Sequence, residues 1–207
     1  MTIDKAGWPF VAGAALPGVV AGQLGWFWVA GLFGALALFM LYFFRDPDRV
    51  TPADALAIIS PADGRILVAG AADADAAPEG AWKQISIFLS PIDVHINRIP
   101  CAGRVTKVVH TPGQFLAAFN PDSARVNQRN EVWLDRGGET VVVRQVVGVL
   151  ARRLVCRVGP GAQVRTGERY GLMKFGSRID LYLPPRCELT VRVGDRVRSG
   201  ETVVATW

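Results

Sequence analysis

Hydrophobic and polar positions are distributed unevenly along the chain. From Ala6 to Phe44 no residue carries a charge, and beyond that segment apolar residues come in short runs. As one helix, roughly 40 uncharged residues would extend about 60 Å, twice the hydrocarbon thickness of about 30 Å. Ala21-Gly22-Gln23-Leu24-Gly25, with Pro17 ahead of it, interrupts the segment near its middle. The pattern therefore predicts two hydrophobic helices, 7–21 and 25–44, forming a membrane-associated hairpin over residues 1–44. A buried hairpin in a soluble core, or one span with an interfacial helix, are the alternatives. Trp26, Phe27 and Trp28 suit an interface.

Residues 45–56 (RDPDRVTPADAL) are polar and proline-containing and read as a linker. The remainder, 57–207, carries β-branched runs separated by Gly and Pro: Arg65–Val68, Ile85–Leu89, Val105–Val109, Val141–Val143, Val146–Leu150 and Leu189–Val193. Their length and spacing predict a mainly β, sandwich- or barrel-like domain. One short helix is expected around Gly113–Phe119. The segment Gly194-Asp195-Arg196-Val197-Arg198-Ser199-Gly200 reads as a hairpin. It resembles those of barrel-sandwich folds such as the lipoyl and biotinyl carriers, a likeness of fold alone.

Composition narrows the class. Half of the 207 residues are hydrophobic and a fifth are charged, which is not a disordered chain's balance. The net charge of +5, beside an uncharged segment, suits an anionic membrane surface. No basic run with interleaved aromatics points to nucleic acid. Lys5 flanks one end of the hairpin and Arg45 and Arg49 the other, which places both ends on the cytoplasmic face of the cell membrane. Cys101, Cys156 and Cys187 are widely spaced, and with only His95 and His110 in the chain no metal site is expected.

Three segments carry candidate chemistry: Ser60-Pro61-Ala62-Asp63-Gly64-Arg65, then Leu89-Ser90-Pro91-Ile92-Asp93-Val94-His95-Ile96-Asn97-Arg98-Ile99-Pro100, then Met173-Lys174-Phe175-Gly176-Ser177-Arg178. A serine hydroxyl is a weak nucleophile without a base. His95, ionising near neutrality, is the candidate, oriented by a carboxylate. Asp93, two residues away, shares a strand face with it. Gly176 gives the backbone before Ser177 access to strained geometry. His110 reads as structural.

In this order, behind a hydrophobic N-terminus, the segments resemble the phosphatidylserine decarboxylase proenzymes, most closely the short bacterial and archaeal-type branch. The likeness runs from about Phe44 to Trp207, and Asn127-Gln128-Arg129-Asn130-Glu131 matches an Asn-rich segment of the family. The resemblance implies self-cleavage at Gly176–Ser177 by serinolysis, leaving chains 1–176 and 177–207 held together and a pyruvoyl group made from Ser177. Phosphatidylserine would then lose CO2 as a Schiff base on that group. The resemblance gives Asp63, rather than Asp93, the orienting role. Longer family members have a second His where this chain has Arg98. Arg98, Lys174 and Arg178 are candidate substrate-binding cations; a higher homo-oligomer is left open. A pyruvoyl decarboxylase acting on another amino acid or on an archaeal-type serine lipid is one competing reading. The other is a biotin- or lipoyl-type carrier using Lys174, since Leu172-Met173-Lys174-Phe175 resembles an acceptor hairpin.

Overall fold

The computed structural model describes residues 1–149, 154–174 and 176–207. Leu150, expected to end the 146–150 run, and Phe175 lie outside the described residues. The chain divides into two compact units, Met1–Asp48 and Arg49–Trp207.

In the first unit, helix α1 (Trp8–Gln23) and helix α2 (Phe27–Phe43) pack against each other. Pro17 does not end α1, which runs two residues beyond the expected boundary of 21. The break comes at Gly25, whose φ of +75° is open to glycine and strained for other residues. The Trp26 amide closes the turn on the Ala21 carbonyl at 2.8 Å. Close approach of the helices depends on small residues: a Cβ on Gly18 would come within 3.1 Å of the Phe33 side chain. Neither helix has an apolar stripe opposed by a polar face. Trp26, Phe27 and Trp28 at the turn are exposed, Trp28 to 94%. No helix among the described residues is long and apolar enough to cross a membrane.

The second unit is built on an eight-stranded sheet, curled into a half-barrel. Its order is Gln163–Val164, Gly103–Thr111, Arg129–Arg136, Glu139–Val147, Ser177–Leu183, Lys83–Leu89, Gly64–Ala71, Arg196–Val197, every neighbour antiparallel. Two three-stranded sheets complete the unit. One joins Leu154–Cys156, Arg169–Met173 and Ile96–Arg98; the other joins Glu188–Leu189, Val203–Thr206 and Ala57–Ile59.

Ser177–Leu183 lies inside the large sheet and is buried throughout, so both of its faces are covered. Alternation sends Ile179, Leu181 and Leu183 into the hydrophobic core with Ile85, Ile87, Val141 and Val143. Arg178, Asp180 and Tyr182 take the opposite face, where buried polar groups pair with one another. Arg144 bonds Glu131 through Nε at 2.8 Å and the Tyr182 hydroxyl through Nη1 at 2.9 Å.

The expected helix at Gly113–Phe119 is not formed; the short helix is instead Ser123–Val126. Asn127 accounts for the difference. Its Oδ1 accepts the Leu116 amide at 2.9 Å, and its Nδ2 donates to the Leu116 carbonyl at 2.8 Å. Both main-chain groups that a helix would need at Leu116 are thus taken by a side chain. Gly113 packs directly on the 126–128 backbone, where a Cβ would come within 2.4 Å of the Val126 carbonyl oxygen.

Candidate active site

Ser177 opens its strand, in register between Leu89 and Val147. It is fully buried, and its Oγ has no hydrogen-bond partner among the described residues. A buried hydroxyl without a partner costs stability, and such a group calls for a functional account. Directly before it, Gly176 has φ +68°, in the left-handed region. Its carbonyl faces Gly148 so closely that a Cβ there would stand 2.4 Å from the Gly176 oxygen.

His95 is buried just ahead of the strand Ile96–Arg98, its own carbonyl accepting the Met173 amide at 3.3 Å. Nδ1 lies 2.9 Å from the main-chain oxygen of Asp93. A carbonyl only accepts, so the proton of the neutral ring sits on Nδ1 and Nε2 keeps its lone pair. The Gly176 amide donates to Nε2 at 3.4 Å. The fold therefore brings His95 and the Gly176-Ser177 dipeptide together from segments some 80 residues apart.

The carboxylate expected to orient the imidazole does not reach it. Asp63 accepts two bonds from Arg49 Nη2, at 3.0 and 2.7 Å, and one from the Ser199 amide at 2.7 Å. Among the described residues it makes no hydrogen bond to His95. Burial raises the Asp63 carboxyl above its ordinary value, outweighing the opposing Ser199 amide and Arg49, and neighbouring Asp93 adds to the rise. The rival, Asp93, uses its carboxylate to accept the Ser90 amide at 2.8 Å. It meets His95 through its backbone carbonyl. A main-chain carbonyl thus sets the tautomer, a role for which sequence carries no residue-specific signal.

The three candidate cations lie in different surroundings. Arg98 is buried, donating from Nη1 to the Gly167 carbonyl at 3.1 Å, and lines a polar cavity of about 590 Å³ with Arg49 and Arg165. Lys174 is half-buried at the end of Arg169–Met173. Arg178 lies beyond Ser177 on the other face of the sheet, its Nε 2.6 Å from Asp180 and its Nη2 2.9 Å from Ser86.

Two features of the site went unnamed in the sequence reading. Gly148 is one, although a lone glycine in the β-branched run 146–150 is the usual mark of close backbone approach. The other is an apolar pocket of about 200 Å³ at Gly176, walled by Phe88, Pro91, Ala118, Phe119 and Val149. Asn127 holds its 117–119 wall in place through Leu116, and a third bond, Nδ2 to the Val147 carbonyl at 2.8 Å, ties that loop to the strand before Gly148.

Among the described residues, then, a fully buried serine without a hydrogen-bond partner follows a glycine in the left-handed region, and the amide of that glycine donates to Nε2 of a buried histidine. The sequence profile of the phosphatidylserine decarboxylase family matches residues 36–205. A phosphatidylserine decarboxylase proenzyme of Nitrosomonas europaea is 42% identical over 98% of this chain and 94% of its own length. Proteins of that name from Desulfotalea psychrophila and Geobacter metallireducens are 41% and 42% identical, each over 98% of this chain and 95% of theirs. The chain belongs to the phosphatidylserine decarboxylase family, a family of enzymes.

Proposed function

We propose that this chain cuts itself at Gly176–Ser177, converts Ser177 to a pyruvoyl group and decarboxylates phosphatidylserine to phosphatidylethanolamine at a membrane surface. The buried Oγ of Ser177, without a hydrogen-bond partner among the described residues and next to Gly176, whose amide reaches His95, carries the reading. His95 Nε2 takes the hydroxyl proton as Oγ attacks the Gly176 carbonyl carbon. The C–N bond breaks, the proton passes to the Ser177 nitrogen, and an ester joins the two residues. Removal of the Ser177 Cα proton expels the Gly176 carboxylate and leaves dehydroalanine. Water then replaces its nitrogen, which departs as ammonia. The residues present fit this outcome: Gly176 takes a left-handed φ that glycine adopts without strain, and the hydroxyl has no competing partner among the described residues.

Once formed, the pyruvoyl group supplies the carbonyl that takes up the substrate amine and the electrons of the leaving carboxylate. The chain's own contribution is the setting. Ser177–Leu183 sits between Glu139–Val147 and Lys83–Leu89, so chain 177–207 stays bound after cutting through ladders on both sides. His95 remains beside residue 177 for proton transfer.

Membrane attachment falls to the helical pair. At 1.5 Å per residue the helices are about 24 and 26 Å long, short of a hydrocarbon core of about 30 Å. Being apolar all round, with aromatic residues exposed at the turn, they suit insertion into one leaflet, with Lys5 and Arg45 held at the cytoplasmic surface. A carrier role for Lys174 finds less support, because a carrier lysine must stand exposed and Lys174 is half-buried.

The reading is tested by incubating the purified chain with phosphatidylserine vesicles. Release of one CO2 per phosphatidylethanolamine formed, lost in Ser177→Ala, is expected; an intact, uncut chain with equal activity would overturn it.

A further inference from the structure

We infer that Arg178 is the receptor for the substrate's phosphodiester, and that the leaving carboxylate occupies the neighbouring apolar pocket at Gly176. This rests on the decarboxylase reading and goes on to divide the headgroup between two cavities. Arg178 is 4% exposed. Asp180 Oδ1 and Ser86 Oγ fix its Nε and Nη2, and the Ser86 hydroxyl itself donates to Asp180 at 2.6 Å. The guanidinium is thus held in one plane, and Nη1 has no hydrogen-bond partner among the described residues. Arg178 lines a cavity of about 360 Å³ together with Gln84 and Phe119. Phe119 is also a wall of the apolar pocket at Gly176, so the two cavities adjoin. The Phe119 ring stands edge-on to Phe88, the centroids 6.0 Å apart.

Two facts about the reaction decide which part of the headgroup goes where. The carboxylate loses its charge as CO2 forms. A cation on it would stabilise the ground state and raise the barrier, whereas an apolar, water-poor pocket favours the loss. Phe88, Pro91, Ala118 and Val149 provide apolar walls of this kind at Gly176, the residue before 177. The phosphodiester keeps its single negative charge throughout. A cation on it binds ground and transition states alike, which is what a fixed guanidinium one residue further along the strand supplies. Asp180 pairs with Arg178 but occupies only one edge of it, leaving the Nη1 edge for two phosphate oxygens.

The signature follows: loss of Arg178's fork raises KM and leaves kcat nearly unchanged. Binding is measured first, by calorimetry on the uncut Ser177→Ala chain, with sn-glycero-3-phosphoserine and inorganic phosphate as probes. The diester should bind, inorganic phosphate at least tenfold more weakly. Arg178→Lys, which keeps the pair with Asp180, should weaken diester binding roughly tenfold to a hundredfold. If that variant misfolds, the neutral pair Arg178→Gln with Asp180→Asn replaces it. The cut enzyme is then assayed with short-chain phosphatidylserine, where Arg178→Lys should raise KM by a similar factor. Unchanged diester binding and KM in the variant would overturn the assignment, as would equal binding of inorganic phosphate. A fall in kcat with KM intact would move Arg178 to the carboxylate. Failure of the unsubstituted enzyme to release CO2 would instead count against the decarboxylase reading, which the calorimetry does not touch.

Discussion

The amide nitrogen of Gly176 lies 3.4 Å from Nε2 of His95, so the unprotonated side of the ring faces the residue whose carbonyl Ser177 would attack. The tautomer that permits this is set from behind, where Nδ1 donates to the Asp93 carbonyl at 2.9 Å. His95→Ala should therefore accumulate the uncut chain. General-base catalysis is typically worth about 10²–10⁴ in rate, and cutting should slow by that order. Gel analysis of fresh translation product over time measures it. Normal cutting with lost decarboxylation would confine His95 to turnover.

Asp63 separates two roles for a carboxylate. Bonded to Arg49 and the Ser199 amide, it holds the loop whose Ser199 Oγ donates to the Pro61 carbonyl at 3.2 Å. Asp63→Asn keeps an acceptor for Ser199 and should cut more slowly than the unsubstituted chain but faster than His95→Ala. A block as complete as that of His95→Ala would mean that Asp63 swings to the imidazole during cutting. The same variant has a pH signature. The folded state raises the Asp63 pKa above its ordinary 3.8, so ionising Asp63 is harder in the folded chain than in the unfolded one. Its contribution is fully present below 3.8 and is lost as pH rises through the folded value. The melting temperature of Asp63→Asn relative to the unsubstituted chain should therefore climb as pH rises through that window. A flat difference would contradict the shift.

Gly148 is placed to hold the Gly176 carbonyl, since a Cβ would stand 2.4 Å from its oxygen and 3.3 Å from the Ala118 side chain. Gly148→Ala should displace that carbonyl and slow cutting by tenfold or more, while far-ultraviolet circular dichroism stays that of the β fold. The loss should also appear before ester formation, as a smaller fraction of chain cleaved by hydroxylamine. Cutting at the unsubstituted rate would show that the 148 backbone yields easily.

Much of this arrangement is legible in sequence, for physical reasons that can be named. The uncharged stretch and Gly25 announce a helical pair. The β-branched runs announce strands, and Ile179, Leu181 and Leu183 alternate as a core-facing strand must. Ser177, Gly176 and His95 could be singled out because their segments match a family, and the fold brings them together. The helix expected at Gly113–Phe119 fails because Asn127, 11 residues past Leu116, captures the backbone there. The orienting group of His95 is illegible because it is a backbone oxygen, which every residue has. Arg178's surroundings depend on strand register, which places it opposite Phe88 and Val146, and register is not written in any local motif.

The helical turn carries the membrane prediction. Trp28 is 94% exposed, and Trp28→Asp should weaken binding to phospholipid vesicles by about tenfold or more, since a charge is costly to bury in hydrocarbon. Self-cleavage should be unaffected. Flotation with vesicles at low and high salt measures it, and salt-resistant binding unchanged by the substitution would place the anchor elsewhere.

Intact mass spectrometry of the purified, active protein tests the central claim most directly. Cutting at Gly176–Ser177 predicts two chains, 1–176 ending in a free carboxylate and 177–207 beginning with a pyruvoyl group in place of serine. The smaller chain should resist Edman degradation. Ser177→Ala should give a single uncut, inactive species. A single 207-residue chain with an unmodified Ser177 in active enzyme would contradict it.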